Sequence, residues 1–119
     1  MMSKNVTQQK ALDFAVKIVK LTNNLKENAK DYTMSNQLLR SGTSIGANYS
    51  EAQFASSHKD FINKVTIALK EASETQYWLE LLYKTDYLSQ SEFENIFNEC
   101  CELSRILASI VKTAKNKGM

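Results

Sequence analysis

At 119 residues, with no proline and only three glycines, the chain is sized for one domain with one core, and it lacks the turn punctuation of a β-sandwich or α/β domain. The net charge of +2 is too small to mark a nucleic-acid partner by itself, but it is uneven: residues 1–30 carry six lysines against Asp13 and Glu27, whereas residues 31–119 are net acidic. The two cysteines, Cys100 and Cys101, are adjacent, a spacing that makes neither an unstrained disulfide nor a CxxC metal site.

The expected architecture is all-α, an antiparallel up-down-up-down four-helix bundle over residues 1–119. The first helix is predicted at residues 6–27, with Ala11, Phe14, Ala15, Ile18, Leu21 and Leu25 recurring at helical spacing on one face. A second apolar face of the same helix carries Leu12, Val16 and Val19. Residues 28–31 read as a connection, with Asp31 as N-cap of the next helix.

The second helix is predicted at 32–56, with Met34, Leu38, Ile45, Tyr49 and Ala52 toward the core. It contains LLRSGTSIGANYSEAQ, which has neither a GxxxxGK[ST] nor a GxGxxG phosphate loop. As a helix the segment makes sense. Gly42 and Gly46 stack on one side, each costing about 1 kcal/mol relative to alanine, and close approach of a neighbouring helix compensates. Beside the core face run Gln37, Arg40, Ser44, Asn48 and Glu51. An arginine among amides and carboxylates at a core border reads as a structural network, with a ligand or nucleic-acid contact as the alternative.

Ser57 to Asp60 resembles a capping box opening a third helix at 58–84, with Phe61, Val65, Ala68, Ala72, Leu79 and Tyr83 inward. Ile67, Trp78 and Leu81 lie off that stripe, and a lone bundle would expose them. With Leu12, Val16 and Val19 they are the expected oligomer interface, since exposed apolar patches mark contacts. Glu71 and Glu74 lie on the flank matching Arg40, so Arg40 is expected to pair with one of them, because the guanidinium fork suits carboxylates. Ser89 to Glu92 is a full capping box for a fourth helix at 90–115, whose apolar stripe includes Phe93, Ile96, Phe97, Cys100, Leu103, Ile106, Leu107, Ile110 and Ala114.

The residues Arg40, Ser44, Ile45, Asn48 and Glu51, followed by Ala68, Glu71 and Glu74, resemble the motifs of the 23S rRNA intervening-sequence (S23) protein family. The likeness spans nearly the whole chain and is strongest from Leu38 to Leu82. Where many members have Glu-Gly, this chain has Glu51-Ala52. The resemblance implies a four-helix bundle assembled as a homopentameric ring. It also implies kinship with the accessory variability protein of diversity-generating retroelements, a basic barrel that binds nucleic acid and a reverse transcriptase.

Catalytic chemistry is hard to build from these residues. A di-iron bundle needs two Glu-x-x-His motifs, and the chain has one histidine, His58, expected to be a solvated first-turn residue. Cys100 reads as a core residue. No enzyme activity, cofactor or metal is expected. MMSKNVTQQK holds no apolar signal core and no apolar run reaches membrane-spanning length, so a cytoplasmic protein without a membrane partner is expected. Two functions remain: a homo-oligomer binding RNA or another nucleic acid through Lys4, Lys10, Lys17, Lys20, Lys112, Lys115 and Lys117, or a protein–protein scaffold. Ordinary solvation, helped by the helix dipole, explains the helix-four lysines well and the helix-one lysines poorly. No aromatic interleaving of the sequence marks a single-strand stacking surface.

Overall fold

The computed structural model describes residues 5–117. Four helices account for most of them: α1 (Val6–Asn24), α2 (Thr33–Ala52), α3 (His58–Lys84) and α4 (Gln90–Lys117). The molecule is a rod, 49 × 24 × 22 Å, consistent with helices lying side by side.

Cross-helix pairings set the directions. Asn5 Nδ2 donates to Gln53 Oε1 (3.2 Å) and Gln8 Nε2 to Ser50 Oγ (3.2 Å), so α2 returns along α1. Thr75 Oγ1 donates to Ser41 Oγ (3.0 Å), joining α2 to α3. Cys100 Sγ–H points at Ala72 O (3.4 Å) and His58 Nε2 at Ala114 O (2.7 Å), so α4 runs against α3. Lys10 meets Glu102 (3.2 Å) and Lys17 meets Glu99, closing α4 against α1. These pairings fit an up-and-down bundle, with α1 and α3 on one diagonal.

Each helix forms for local reasons and persists because its apolar face is buried. Asn5 caps α1 by accepting from Gln8 N (3.1 Å). Ser57 caps α3 by accepting from Asp60 N (3.0 Å). Asp60 reaches back to Ser56 N (3.2 Å), one residue before the position of a standard box. At α4 the box is complete: Ser89 N donates to Glu92 Oε1 (2.9 Å) and Glu92 N to Ser89 Oγ (3.2 Å). Phe14, Ile18, Leu38, Ile45, Leu79, Leu82, Leu103 and Leu107 are fully buried, each contributing about 1.5–3 kcal/mol of transfer free energy. Phe93 stacks between Tyr83 (ring centroids 4.4 Å) and Phe97 (4.8 Å) at the opposite end from His58.

Three boundaries differ from expectation. The first helix does not continue as α-helix to residue 27: it leaves α geometry after Asn24 and adds a π-helical turn, Leu25–Ala29. Lys30, at φ 58°, stops it with an N–H bond to Leu25 O. Asp31 accepts from Ser35 N (2.9 Å), supplying the cap of α2 although Tyr32 precedes the first helical residue. The second helix ends at Ala52 rather than 56. Gln53, Phe54 and Ala55 instead donate to carbonyls three residues back (3.0–3.2 Å), which tightens the chain before the extended residue Ser57. The fourth helix runs on to Lys117, two residues beyond expectation.

The glycines sit where α1 and α2 touch. A Cβ on Gly42 would lie 2.9 Å from both Cγ1 and Cγ2 of Ile18, whereas one on Gly46 would meet Ala11 Cβ at 3.4 Å. Gly42 therefore admits Ile18 to the core; Gly46 leaves ordinary contact distance.

Candidate interaction surfaces

At the α2–α3 seam, the Arg40 guanidinium spans two carboxylates: Nη1 donates to Glu71 Oε1 (3.3 Å) and Nη2 to Glu74 Oε2. Glu74 Oε2 also accepts from Trp78 Nε1 (3.1 Å). Glu71, Glu74 and Trp78 reach the same place because they lie on adjacent turns of α3. Ser44 and Asn48 do not join through their side chains. Ser44 Oγ donates to Arg40 O (2.6 Å) and Asn48 Nδ2 to Ser44 O (2.8 Å), so both bond their own helix backbone. Glu51 is exposed one turn further on, apart from the cluster. The arginine side chain is 48% exposed and Glu74 36%, so each ion pair contributes at most about 1 kcal/mol. Beneath them lies the buried Ser41–Thr75 pair, with Thr75 Oγ1 also 2.7 Å from Glu71 O, a link that apolar periodicity does not flag.

The apolar residues set aside for an interface divide. Leu12 (56%), Val16 (45%), Val19 (39%) and Ile67 (41%) are exposed. Trp78 and Leu81 are half-buried; Trp78 packs against the core and its N–H is taken by Glu74. Trp78 is therefore not the naked surface that helical-wheel geometry suggests. A shallow cleft of about 370 Å³ runs beside Leu12 between α1 and α2, lined by Ala11, Ala15, Thr43, Gly46 and Ala47 among others.

The basic residues also divide. Lys10 and Lys17 are held by Glu102 and Glu99 across a cleft of about 520 Å³ between α1 and α4. Lys20 lines the same cleft. Lys59, Lys112, Lys115 and Lys117 are exposed, and among the described residues none of the four makes an ion pair. Lys4 lies outside the described residues. The start of α3 and the end of α4 are joined by His58 and Ala114. His58 is exposed in the first turn of α3, as expected, and in addition ties two helices: a carbonyl only accepts, so His58 Nε2 carries the proton it donates to Ala114 O.

Cys100 is buried, and burial, with a smaller contribution from neighbouring Cys101, pushes its thiol up to about 12. As a thiol it is a poor nucleophile at neutral pH. Among the described residues no group of three His, Cys, Asp or Glu side chains is placed to hold a metal ion. No described helix is long and apolar enough to cross a membrane.

Fold and surfaces together define a small four-helix-bundle protein whose polar chemistry lies at helix seams and on its outside. Residues 3–109 match the family model of the 23S rRNA-intervening sequence protein, and the chain belongs to that family. It is similar to a solved structure from Bacteroides thetaiotaomicron, described as a protein with unknown function from the S23 ribosomal protein family. The two share 53% identity over 90% of this chain and 99% of that one, with a TM-score of 0.89. No curated protein matches the chain.

Proposed function

We propose that this protein is a non-enzymatic, self-associating helical bundle, built as a homopentameric ring, whose basic end holds the phosphate backbone of nucleic acid. The observation that carries the assembly is the exposed stripe of Leu12, Val16 and Val19 along α1, together with Ile67 on α3. Exposed apolar surface in a row of turns favours burial against another copy. Because α1 and α3 are diagonal, joining one copy's α1 stripe to the next copy's α3 is a head-to-tail contact, which closes into a ring when the rotation allows. Sedimentation or native mass spectrometry tests this. The expected mass is about five protomers, with Val16→Glu shifting the population to smaller species; a monomer at micromolar concentration refutes it.

The nucleic-acid part rests on Lys59, Lys112, Lys115 and Lys117, which share one end of the bundle without carboxylate partners among the described residues. Lys10 and Lys17 lie on the α1–α4 face, still partly exposed but paired with Glu102 and Glu99, so they add less net positive charge than the lysines at that end. Phosphate contacts release counterions, so binding by four lysines per protomer to a single strand is expected to weaken with salt at a log–log slope of about −3. Lys112→Glu with Lys115→Glu abolishes it. An assembled ring with no affinity for nucleic acid at low salt is instead a protein scaffold.

A further inference from the structure

Phe54 is 86% exposed, the largest exposure among the exposed large apolar residues. It stands in the short connection between α2 and α3, where its N–H is tied to Glu51 O (3.0 Å) and its ring is left to solvent. Gln53 on one side bonds Asn5, and His58 on the other bonds Ala114, so this connection lies at the end of the bundle that carries Lys59, Lys112, Lys115 and Lys117. From Phe54 to Lys59 the chain spans five residues, at most roughly 18 Å. A hollow of about 350 Å³ opens at the same end, lined by His58, Phe61, Ile110 and Lys117 among others.

We infer that Phe54 is a stacking platform for an unpaired nucleobase, which gives the basic end a preference for single-stranded over duplex nucleic acid. This deepens the nucleic-acid reading above and rests on it. The chemistry of the neighbourhood selects this occupant. Along the chain Phe54 lies among the polar Glu51, Gln53, Ser56 and Ser57, with Ala52 buried and Ala55 half-buried; the other exposed large apolar residue at this end is Val6, next to Asn5, which bonds Gln53. A lipid surface or a protein hot spot needs contiguous apolar area, whereas the residues flanking Phe54 in this connection are mostly polar. An exposed π-face at the same end of the bundle as several lysines without ion pairs among the described residues is the combination that single-strand binding uses: stacking holds the base, lysines hold the phosphates, and neither reads sequence. In a duplex the bases are already stacked and paired, so only the lysines engage. In a ring the platform recurs once per protomer.

The test is fluorescence anisotropy of a labelled 12-nucleotide oligouridine and of a duplex of equal length, with the full chain and three variants. The wild type is expected to bind the single strand more tightly. Phe54→Leu, which keeps apolar bulk and loses the aromatic face, is expected to weaken single-strand binding about 5- to 100-fold and to leave the duplex nearly unchanged. Phe54→Trp restores or exceeds wild-type affinity. The exposure of the ring makes unchanged thermal melting the expected control. Undiminished single-strand binding by Phe54→Leu overturns the platform, while loss of binding in Lys112→Glu with Lys115→Glu would still support the basic end. No binding of either probe by the wild type at low salt overturns both. Phe54-dependent sedimentation with anionic phosphatidylserine vesicles, without oligouridine binding, overturns the nucleobase in favour of lipid.

Discussion

Gly42 and Gly46 are one helical turn apart, and alanine should have opposite effects at the two positions. At Gly46 an added Cβ meets Ala11 Cβ at 3.4 Å, an ordinary contact, so the gain is helix propensity, about 1 kcal/mol. At Gly42 the same gain is opposed by Cβ contacts of 2.9 Å with two carbons of Ile18, a fully buried β-branched side chain whose two close carbons sit directly on its Cβ. Overpacking of this kind costs about 1–3 kcal/mol, leaving a net loss near 1 kcal/mol. The two variants should therefore differ by about 2 kcal/mol, or about 8 °C in midpoint at roughly 4 °C per kcal/mol for this chain length. Thermal and urea unfolding at one fixed protomer concentration measure it. A double-mutant cycle isolates the cause. Ile18→Ala alone should cost about 2–5 kcal/mol, but in its background Gly42→Ala should become stabilising, since both offending carbons are gone. If Gly42→Ala stabilises the wild type as much as Gly46→Ala does, or stays destabilising beside Ile18→Ala, the close-approach account of Gly42 is wrong.

Arg40→Ala should lower stability by about 1 kcal/mol or less in urea unfolding, because its ion pairs are half-exposed, and should shift the Trp78 emission by altering Glu74 beside the indole. An unchanged midpoint and spectrum would contradict the seam geometry. Native protein at neutral pH should leave Cys100 unreacted with a maleimide over the time in which it is freely labelled in urea, since the thiol is buried and raised to about 12. Mass spectrometry of the labelled peptides decides. Asp60 titrates below the ordinary carboxylate value, held there first by the Ser56 N–H and then by Lys64. A lowered native pKa contributes stability that is present above about pH 4 and disappears as pH falls through the native value. The difference in stability between wild type and Asp60→Asn should therefore shrink on acidification below pH 4; a difference constant from pH 6 to 2 would refute the assignment.

The four helices were legible in the amino-acid order because their signals are local: apolar residues at helical spacing, hydroxyl caps at Ser57 and Ser89, and the absence of proline. The family motif around Arg40 was legible for the same reason, being a pattern on one helix face. Adding the matching flank of α3 anticipated that Arg40 would pair with Glu71 or Glu74; the structure has it bonded to both. Helix ends were less legible. The π-turn at Leu25–Ala29, stopped by left-handed Lys30, and the early stop at Ala52, where Gln53 to Ala55 bond three residues back, carry no glycine or proline to announce them.

Only the tertiary structure could decide which charges stay free. Lys10 and Lys17 look like the other lysines in one dimension, yet Glu102 and Glu99 come from a helix more than eighty residues away and neutralise them. Trp78 is half-buried because it packs against the core and gives its N–H to Glu74, and Phe54 is bare in the connection that follows the end of α2. The sequence by itself determined the helices and their inward faces, since those follow from spacing along one chain segment. Exposure and charge pairing across seams depend on which segments meet, and the packed bundle alone determines that.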